Sequence, residues 1–317
     1  MLNRRFIREK LVQSLYSFYQ GGSETYQTSE KNMLYGIQKL YELYILHFSL
    51  LVTLSDFAKK RTEDGKLKHI PSKEDLNPNT RFIENKLIEQ IRKSPVYIFK
   101  SNAYKCDWSQ EENLIRKLLS EIQESSVYQL YLANEVNDYA SDQEFLAKIY
   151  KKKIASNNTL HNLCDDKSIY WASDYDSVCF WVLQSIKNMQ EDNDEAISVS
   201  FIPTDENGKN EDIEYAKLLL QKTILHQDEY DKIIFDRLQN WDAERVALIE
   251  LIILKTAVAE FINFPSIPIK VTLNEYIEVS KRFCSEKSRS FVNGLLNKIA
   301  IDLQEEKLIK KSGRGLI

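Results

Sequence analysis

Three arginines and a tyrosine near the amino terminus have the residue types and spacing needed to bind a nucleic acid. They are Arg4, Arg5, Arg8 and Tyr16. At 100° per residue on a helix, Arg5, Arg8 and Tyr16 fall within a sector of roughly 80°. Guanidinium groups neutralise phosphates and a tyrosine ring stacks on a base, a combination that single-stranded RNA favours. These residues therefore predict an RNA-binding edge.

The same residues have a second interpretation, an ordinary charged helix edge with Tyr16 packed in the core. Three cations at the amino end of a helix are disfavoured by about 0.3–1 kcal/mol each, because that end of the helix dipole is positive. Such a placement is more readily explained when an anion binds there. The residues alone leave both alternatives open.

A second basic and aromatic cluster lies near the carboxyl end of the chain. Phe283 and Phe291 stand among four basic residues, Lys281, Arg282, Lys287 and Arg289. A helix is expected to begin between the two phenylalanines, and the free N–H groups at a helix start can bind phosphate. The alternative is that the phenylalanines belong to the core and the charges form a solvated rim.

Helices must position both clusters, because the chain has only 8 glycines and 6 prolines in 317 residues. An apolar stripe at Ile7, Leu11, Leu15 and Phe18 predicts a first helix from Arg4 to Gln20. Thr272, followed by Glu275, has the spacing of a capping box and predicts a later helix start at Leu273. Other helices are predicted near residues 31–59, 212–225, 227–238, 242–261 and 286–304.

Composition narrows the classes of protein to which the chain could belong. The net charge is −4, but residues 1–10 and 307–314 are locally basic, and screening limits charge effects to about 10 Å. The most apolar stretch, Tyr41 to Leu54, contains Glu42 and His47, so we expect a buried helix and no membrane association. Four scattered cysteines favour a cytoplasmic protein without disulfides, and we expect no metal or other cofactor.

Two sequence blocks at opposite ends of the chain carry a family signature. Residues 4–16 read RRFIREKLVQSLY, residues 268–278 read PIKVTLNEYIE, and residues 291–294 read FVNG. In this order the blocks resemble the opening and the closing signature of the NusB family of bacterial transcription antitermination factors. The resemblance implies an all-α fold, a NusB-like helical bundle, and no enzymatic activity.

The resemblance covers residues 3–20 and 210–303, so the long middle part is expected to be an insertion. With such an insertion the chain resembles the long NusB proteins of Bacteroidetes-type bacteria. The middle part carries no motif that we can assign. We expect a discontinuous RNA-binding core at 1–24 and 210–304, a helical insertion with an acidic linker at 25–209, and a basic tail at 305–317.

The family resemblance also implies partners and site residues. Its members bind boxA-like RNA together with the ribosomal protein that acts as NusE, and work with other Nus factors and RNA polymerase. The predicted RNA-binding residues are Arg4, Arg5, Arg8, Gln13, Tyr16, Phe283, Lys287, Arg289 and Phe291. Replacing Arg5 and Arg8 with alanine is expected to weaken RNA binding without unfolding the protein.

Three further positions depend on the resemblance. Glu250 aligns with an acidic position of the family's protein-partner surface, and the alternative is an ordinary exposed helix glutamate. Lys287 stands where some family members have an acid, so it should strengthen phosphate attraction. Asn293 and Gly294 are expected to be structural, with the glycine allowing close helix packing.

Two other functions remain as alternatives. The chain could be a helical interaction module that does not bind RNA. It could also be an accessory to ribosomal RNA methylation, because NusB-like domains occur in front of ribosomal RNA methyltransferases. The second alternative is disfavoured, since no glycine-rich G-x-G loop for a methyl donor lies between a strand and a helix.

Overall fold

A computed structural model of the chain describes residues 4–21, 25–191, 210–238 and 246–313. Within these ranges all regular secondary structure is helical. The prediction of an all-α fold is confirmed.

Helices follow one another with short connections along the described chain. In residues 4–191 they are α1 (Arg4–Gly21), α2 (Tyr26–Lys66), α3 (Lys73–Leu76), α4 (Lys86–Lys93), α5 (Pro95–Ala103), α6 (Glu112–Gln123), α7 (Ser126–Ala133), α8 (Tyr139–Ile149), α9 (Asn158–Lys167), α10 (Ile169–Ala172) and α11 (Tyr175–Asn188). In residues 210–313 they are α12 (Glu211–Leu225), α13 (Gln227–Phe235), α14 (Leu248–Asn263), α15 (Ile269–Phe283) and α16 (Glu286–Glu305). A 3-10 turn at Ser109–Glu111 precedes α6, and a π-helical turn at Tyr150–Ile154 continues α8.

The helices group into two compact units. One consists of residues 38–201, here called the central unit, and the other of residues 2–37 and 202–317, here called the terminal unit. The terminal unit extends into α2, where Ser29 accepts a hydrogen bond of 2.8 Å from the Ser14 hydroxyl of α1. The division therefore lies within α2 and not in the loop before it. Most of the predicted acidic linker falls outside the described residues.

The terminal unit is built around α14. This helix contacts α1, α12, α13, α15 and α16. Its sequence, LIELIILKTAVAEFIN, is apolar around almost the whole circumference, and residues 252–261 are all buried. A helix of this kind belongs in the middle of a bundle. The helices that carry the predicted site residues, α1, α15 and α16, all pack on it.

The start of α15 differs from the sequence prediction. The helix begins at Ile269, so Thr272 and Glu275 lie inside it and form no capping box. The Thr272 hydroxyl instead donates to Glu260 Oε1 at 2.8 Å, and Glu275 forms ion pairs with arginines of α1. The capping prediction was wrong because tertiary partners outcompete the local hydrogen bonds.

The long helix α2 contains the apolar stretch noted above. By length and composition it is the one helix among the described residues that could cross a membrane. However, 78% of its most apolar 18-residue segment is buried inside the fold. Residues 43–52 of the stretch are buried, including His47, whose Nδ1 lies 2.9 Å from the Tyr150 hydroxyl. Most of the apolar stretch of α2 is thus covered by protein.

The segment after α16 returns to the terminal unit. Lys311 Nζ donates to the carbonyl of Phe264 at 3.0 Å, and the Ser312 N–H donates to the carbonyl of Pro265 at 3.0 Å. Burial lowers the pKa of Lys311 to about 8. The described part of the basic tail is therefore packed against the loop between α14 and α15, while Arg314 lies outside the described residues.

Candidate nucleic-acid interface

Helix α1 holds one face in the core and presents another at the surface. Ile7, Leu11 and Leu15 are fully buried, as their helical spacing predicts. On the other face Tyr16 is 42% exposed, and its hydroxyl accepts a hydrogen bond of 3.3 Å from Gln20. The alternative in which Tyr16 is a core residue does not fit this exposure, and its ring is available to a ligand.

Arg4 and Arg5 lie at the surface and are each paired with a carboxylate. Arg4 Nε contacts Asp212 Oδ1 at 2.8 Å, and Arg5 makes a two-point contact with Glu275 at 2.8 and 3.2 Å. The hydrogen bond from Glu275 raises the pKa of Arg5. The two arginine side chains remain 38% and 39% exposed. A phosphate could reach both guanidinium groups, but it would compete with these carboxylates.

Arg8 occupies a different environment from the other two arginines. Its side chain is 2% exposed and makes a two-point contact with the fully buried Glu260, with both N–O distances at 2.8 Å. Its third nitrogen contacts Glu275 at 3.3 Å. The prediction that Arg8 binds phosphate directly does not fit this geometry, because a phosphate could not reach the buried guanidinium without opening the core.

The Glu260 carboxylate collects hydrogen bonds from four side chains. The donors are Arg8, Tyr215, Thr272 and Tyr276. Burial by itself would raise the pKa of Glu260, but the charge of Arg8 and the donated hydrogen bonds outweigh it and hold the pKa below its usual value. This cluster joins α1, α12, α14 and α15, so Arg8 orients the amino end of α1.

One feature of the sequence indicates this buried cluster, although residue type and helical spacing in α1 did not predict it. Glu260 stands near the end of a helix whose residues are mostly apolar, and a carboxylate buried in such a helix requires a cation or several hydrogen-bond donors. The sequence does not indicate which residue supplies them, and in the structure it is Arg8. The partners Tyr215 and Tyr276 carry no comparable signal, because tyrosine is common in ordinary cores.

Two contacts fix how α1 lies beside α15. Arg5 pairs with Glu275. Glu9, one turn farther along α1, pairs with Arg282, about two turns farther along α15. The Arg282 guanidinium lies 5.5 Å from the Phe6 ring centroid. The two helices therefore run in the same direction along this contact. The later turns of α1 lie toward the end of α15, where the second cluster begins.

Gln13 and Phe283 lie in this region between the two clusters. Gln13 is half-buried and accepts a hydrogen bond of 3.1 Å from Lys10. Phe283, the last residue of α15, is also half-buried. Both side chains are therefore partly exposed, neither in the core nor fully open to solvent.

Helix α16 carries Lys287 and Arg289 of the second cluster, while Lys281 and Arg282 lie in the last turn of α15. Ser285 caps its start by accepting from the Ser288 N–H at 3.3 Å. Lys287 is exposed on the first turn, and Phe291 is half-buried one turn later. Arg289 is half-buried, and its Nε is buried with no hydrogen-bond partner in the part of the chain that the structure describes.

Glu250 lies at the start of α14 and is 7% exposed. Its carboxylate accepts a hydrogen bond of 3.0 Å from the Ala247 N–H, which caps the helix. Burial, followed by the charge of Glu250, raises the pKa of Cys284 to about 11. The alternative of an ordinary exposed glutamate does not fit, and little carboxylate surface is left for a protein partner.

Among the described residues no group of three or more His, Cys, Asp or Glu could hold a metal ion.

Comparison with known proteins gives consistent matches. The NusB family matches residues 178–301. The transcription antitermination protein NusB of Salinibacter ruber is 36% identical over 116 residues, or 37% of this chain and 71% of the relative. NusB of Oleidesulfovibrio alaskensis is 40% identical over 110 residues, 35% of this chain and 71% of the relative. NusB of Chloroherpeton thalassium is 33% identical over 99 residues, 31% of this chain and 47% of the relative. No solved structure matches the chain.

Proposed function

This chain belongs to the NusB family, and we propose that it is a transcription antitermination factor that binds boxA-like single-stranded RNA of nascent ribosomal transcripts. The ribosomal protein that acts as NusE binds with it. Other Nus factors and RNA polymerase complete the assembly, which works in the cytoplasm. No catalytic step is proposed for the chain.

The observation that carries this proposal is the arrangement of α1 beside α15. It directs the exposed Tyr16 edge of one sequence block toward the end of α15, where the other block supplies Phe283 and the exposed Lys287. A surface that combines cations with aromatic rings suits a flexible single strand, because a single strand presents both phosphates and bases.

Each residue has a role in this proposal that follows from its surroundings. Arg4 and Arg5 exchange their carboxylate partners for phosphates, and Lys287 binds a further phosphate. Tyr16 stacks on a base. Arg8 holds α1 in place through Glu260 and touches no RNA.

The proposal is tested by fluorescence anisotropy with labelled boxA-like RNA and a scrambled RNA of the same composition. Arg5→Ala and Tyr16→Ala should each weaken binding of the boxA-like RNA, Tyr16→Ala by about tenfold because a stacked base contributes about 1–3 kcal/mol. Lys232→Ala, at an exposed position on α13, is the control and should bind like wild type. Equal affinity of wild type for the two RNAs, or full affinity in both site variants, would contradict the proposal.

One observation favours a second candidate, a helical interaction module that does not bind RNA. Arg4 and Arg5 already have carboxylate partners, so the basic edge is partly neutralised within the protein. On this alternative the chain still captures the NusE ribosomal protein in a pull-down, while the anisotropy of either RNA does not change over the titration.

A further inference from the structure

Helix α5 of the central unit has an apolar stripe on its outer side. Its sequence is PVYIFKSNA, and Tyr97 is buried while several other side chains are open to solvent. The exposed residues, here called the α5 stripe, are Pro95, Ile98, Phe99, Asn102 and Ala103. Their spacing places them on one side of the helix and is typical of a face that packs against protein. On α5 this face is uncovered.

The α5 stripe lines an open groove with a volume of about 690 Å³. In it Phe99 is 68% exposed and Ile98 is 47% exposed. Single exposed apolar side chains are common on protein surfaces, whereas two large neighbouring ones that line a groove indicate an interaction site. Ser94 caps the start of α5 by accepting a hydrogen bond of 3.4 Å from the N–H of the buried Tyr97. The stripe is therefore held on a helix that is anchored at its start.

Two lysines lie beside the carboxyl half of the α5 stripe. Lys100 Nζ lies 5.6 Å from the centroid of the Phe99 ring, and Lys105 is exposed just after the helix ends. Neither lysine forms an ion pair within the ranges that the structure describes. Asp107, the next acid along the chain, accepts hydrogen bonds of 2.9 and 2.7 Å from the N–H and the hydroxyl of Ser109. Positive charge therefore outweighs negative charge at this end of the stripe.

A third lysine lies at the amino end of the α5 stripe. The Lys93 side chain is 74% exposed, and its Nζ contacts Glu89 at 3.2 Å. Lys93 and Pro95 line the same cleft, which places this lysine next to the stripe. A pair as exposed as Lys93 and Glu89 is held weakly, so the ammonium group is free to turn toward an acid of a partner.

We propose that the α5 stripe is a docking surface for an amphipathic helix of a partner protein that carries acidic side chains beside its own apolar stripe. Ridges of one helix pack into the grooves of another, and an amphipathic helix laid in an apolar groove is a recurrent mode of recognition. The acids of the partner meet Lys93, Lys100 and Lys105. This surface belongs to the central unit, and its use does not depend on RNA binding.

A bilayer surface suits the α5 stripe less well than a protein helix does. Interfacial helices present a large apolar face to the bilayer, but α5 has nine residues and only two large apolar side chains on its stripe. Anionic lipids would also repel Glu89 and Asp107, which lie near the two ends of α5. A protein helix can place its acids against the lysines and away from these two carboxylates.

The test uses full-length protein and a labelled synthetic helical peptide as the probe. The peptide has leucines at i, i+3, i+4 and i+7 and glutamates on both flanks. Its fluorescence anisotropy is followed up to about 0.5 mM protein, because a small interface binds weakly. Phe99→Ser should weaken binding about tenfold, because the ring is no longer buried against the peptide. Ile169→Ser, at a position of α10 that is 83% exposed, is the control and should bind like wild type. Neither change should lower the melting temperature, because both side chains are exposed.

A second comparison tests the charge of the partner. The same peptide with lysines in place of its glutamates should bind more weakly, because it brings like charges to the lysines of the surface. Lys100→Gln combined with Lys105→Gln should weaken binding of the acidic peptide and reduce its dependence on salt. Lys151→Gln combined with Lys152→Gln, at exposed positions of the π-helical turn, should change neither.

Several outcomes would overturn this docking surface. One is the absence of binding of the acidic peptide to wild type, and another is equal binding by Phe99→Ser and Ile169→Ser. Phosphatidylserine vesicles that bind wild type but not Phe99→Ser, while the peptide does not bind, would assign the stripe to a membrane. A wild-type dimer in sedimentation that Phe99→Ser dissociates would assign it to a second copy of the chain. Each of these outcomes leaves the proposed RNA-binding function standing.

Discussion

At the scale of single residues, the three arginines that open α1 differ in what surrounds them. Residue type and helical spacing treat Arg4, Arg5 and Arg8 alike, and they predicted the same phosphate contact for all. The structure places Arg8 against Glu260 in the core and leaves the other two 38% and 39% exposed. Sequence periodicity identifies a helix face, but it cannot tell a buried ion pair from a surface one.

The Arg8→Ala variant should therefore be less stable than wild type. This differs from the expectation from sequence that alanine at Arg5 and Arg8 would not unfold the protein. It leaves Glu260 buried and unpaired, which costs about 3–5 kcal/mol. Arg5→Ala removes a partly exposed pair, worth at most about 1 kcal/mol after solvent screening. Urea unfolding of both variants, followed by circular dichroism, measures the difference. Equal loss of stability in the two variants would show that Arg8 is not the buried partner of Glu260.

The buried His47 predicts how stability depends on pH. Burial lowers the pKa of His47 to about 3, below the ordinary value of 6.5. The unfolded chain therefore takes up this proton first as the pH falls, so the stability is fully present above about pH 6.5 and is lost progressively toward pH 3. The melting temperature of wild type should fall more steeply between about pH 7.5 and 5 than that of His47→Gln. His69→Gln, at an exposed position, is the control, and a slope in His47→Gln as steep as that of wild type would refute the assignment.

At the scale of helices, the sequence predicts which helices exist and in what order better than it predicts where each helix begins and ends. The predicted helix at 212–225 corresponds to α12, and the one at 286–304 to α16. The start of α15 was misplaced because Thr272 bonds to Glu260 on another helix, which no local pattern reveals.

A prediction about helix stability concerns Gly294 in α16. Gly294→Ala should stabilise the protein by about 0.5–1 kcal/mol, because alanine favours the helix and the added methyl group meets no other atom. Thermal unfolding compared with wild type measures the change. A loss of stability would mean that the glycine is needed for packing after all.

At the scale of the whole molecule, the two chain ends form one unit while the middle of the chain forms another. Residues 2–37 and 202–317 make the terminal unit, which contains all the residues proposed to bind RNA. The net charge of −4 does not describe this surface, because the proposed phosphate contacts are a few cations at its edge. The contact of α1 with α15 brings the two sequence blocks together, and an RNA site shared between them stays a prediction.

The measurement that tests the central claim most directly is the salt dependence of boxA-like RNA binding by full-length protein. Wild type is compared with the triple variant Arg4→Gln, Arg5→Gln and Lys287→Gln, and with a control in which Lys217, Lys222 and Lys232 on α12 and α13 are changed to glutamine. We expect the slope of log affinity against log salt to become shallower by about 2 in the triple variant, about 0.7 for each lost phosphate contact. The control should keep the wild-type slope. An unchanged slope in the triple variant, or an equal change in the control, would contradict an RNA site built from α1 and α16.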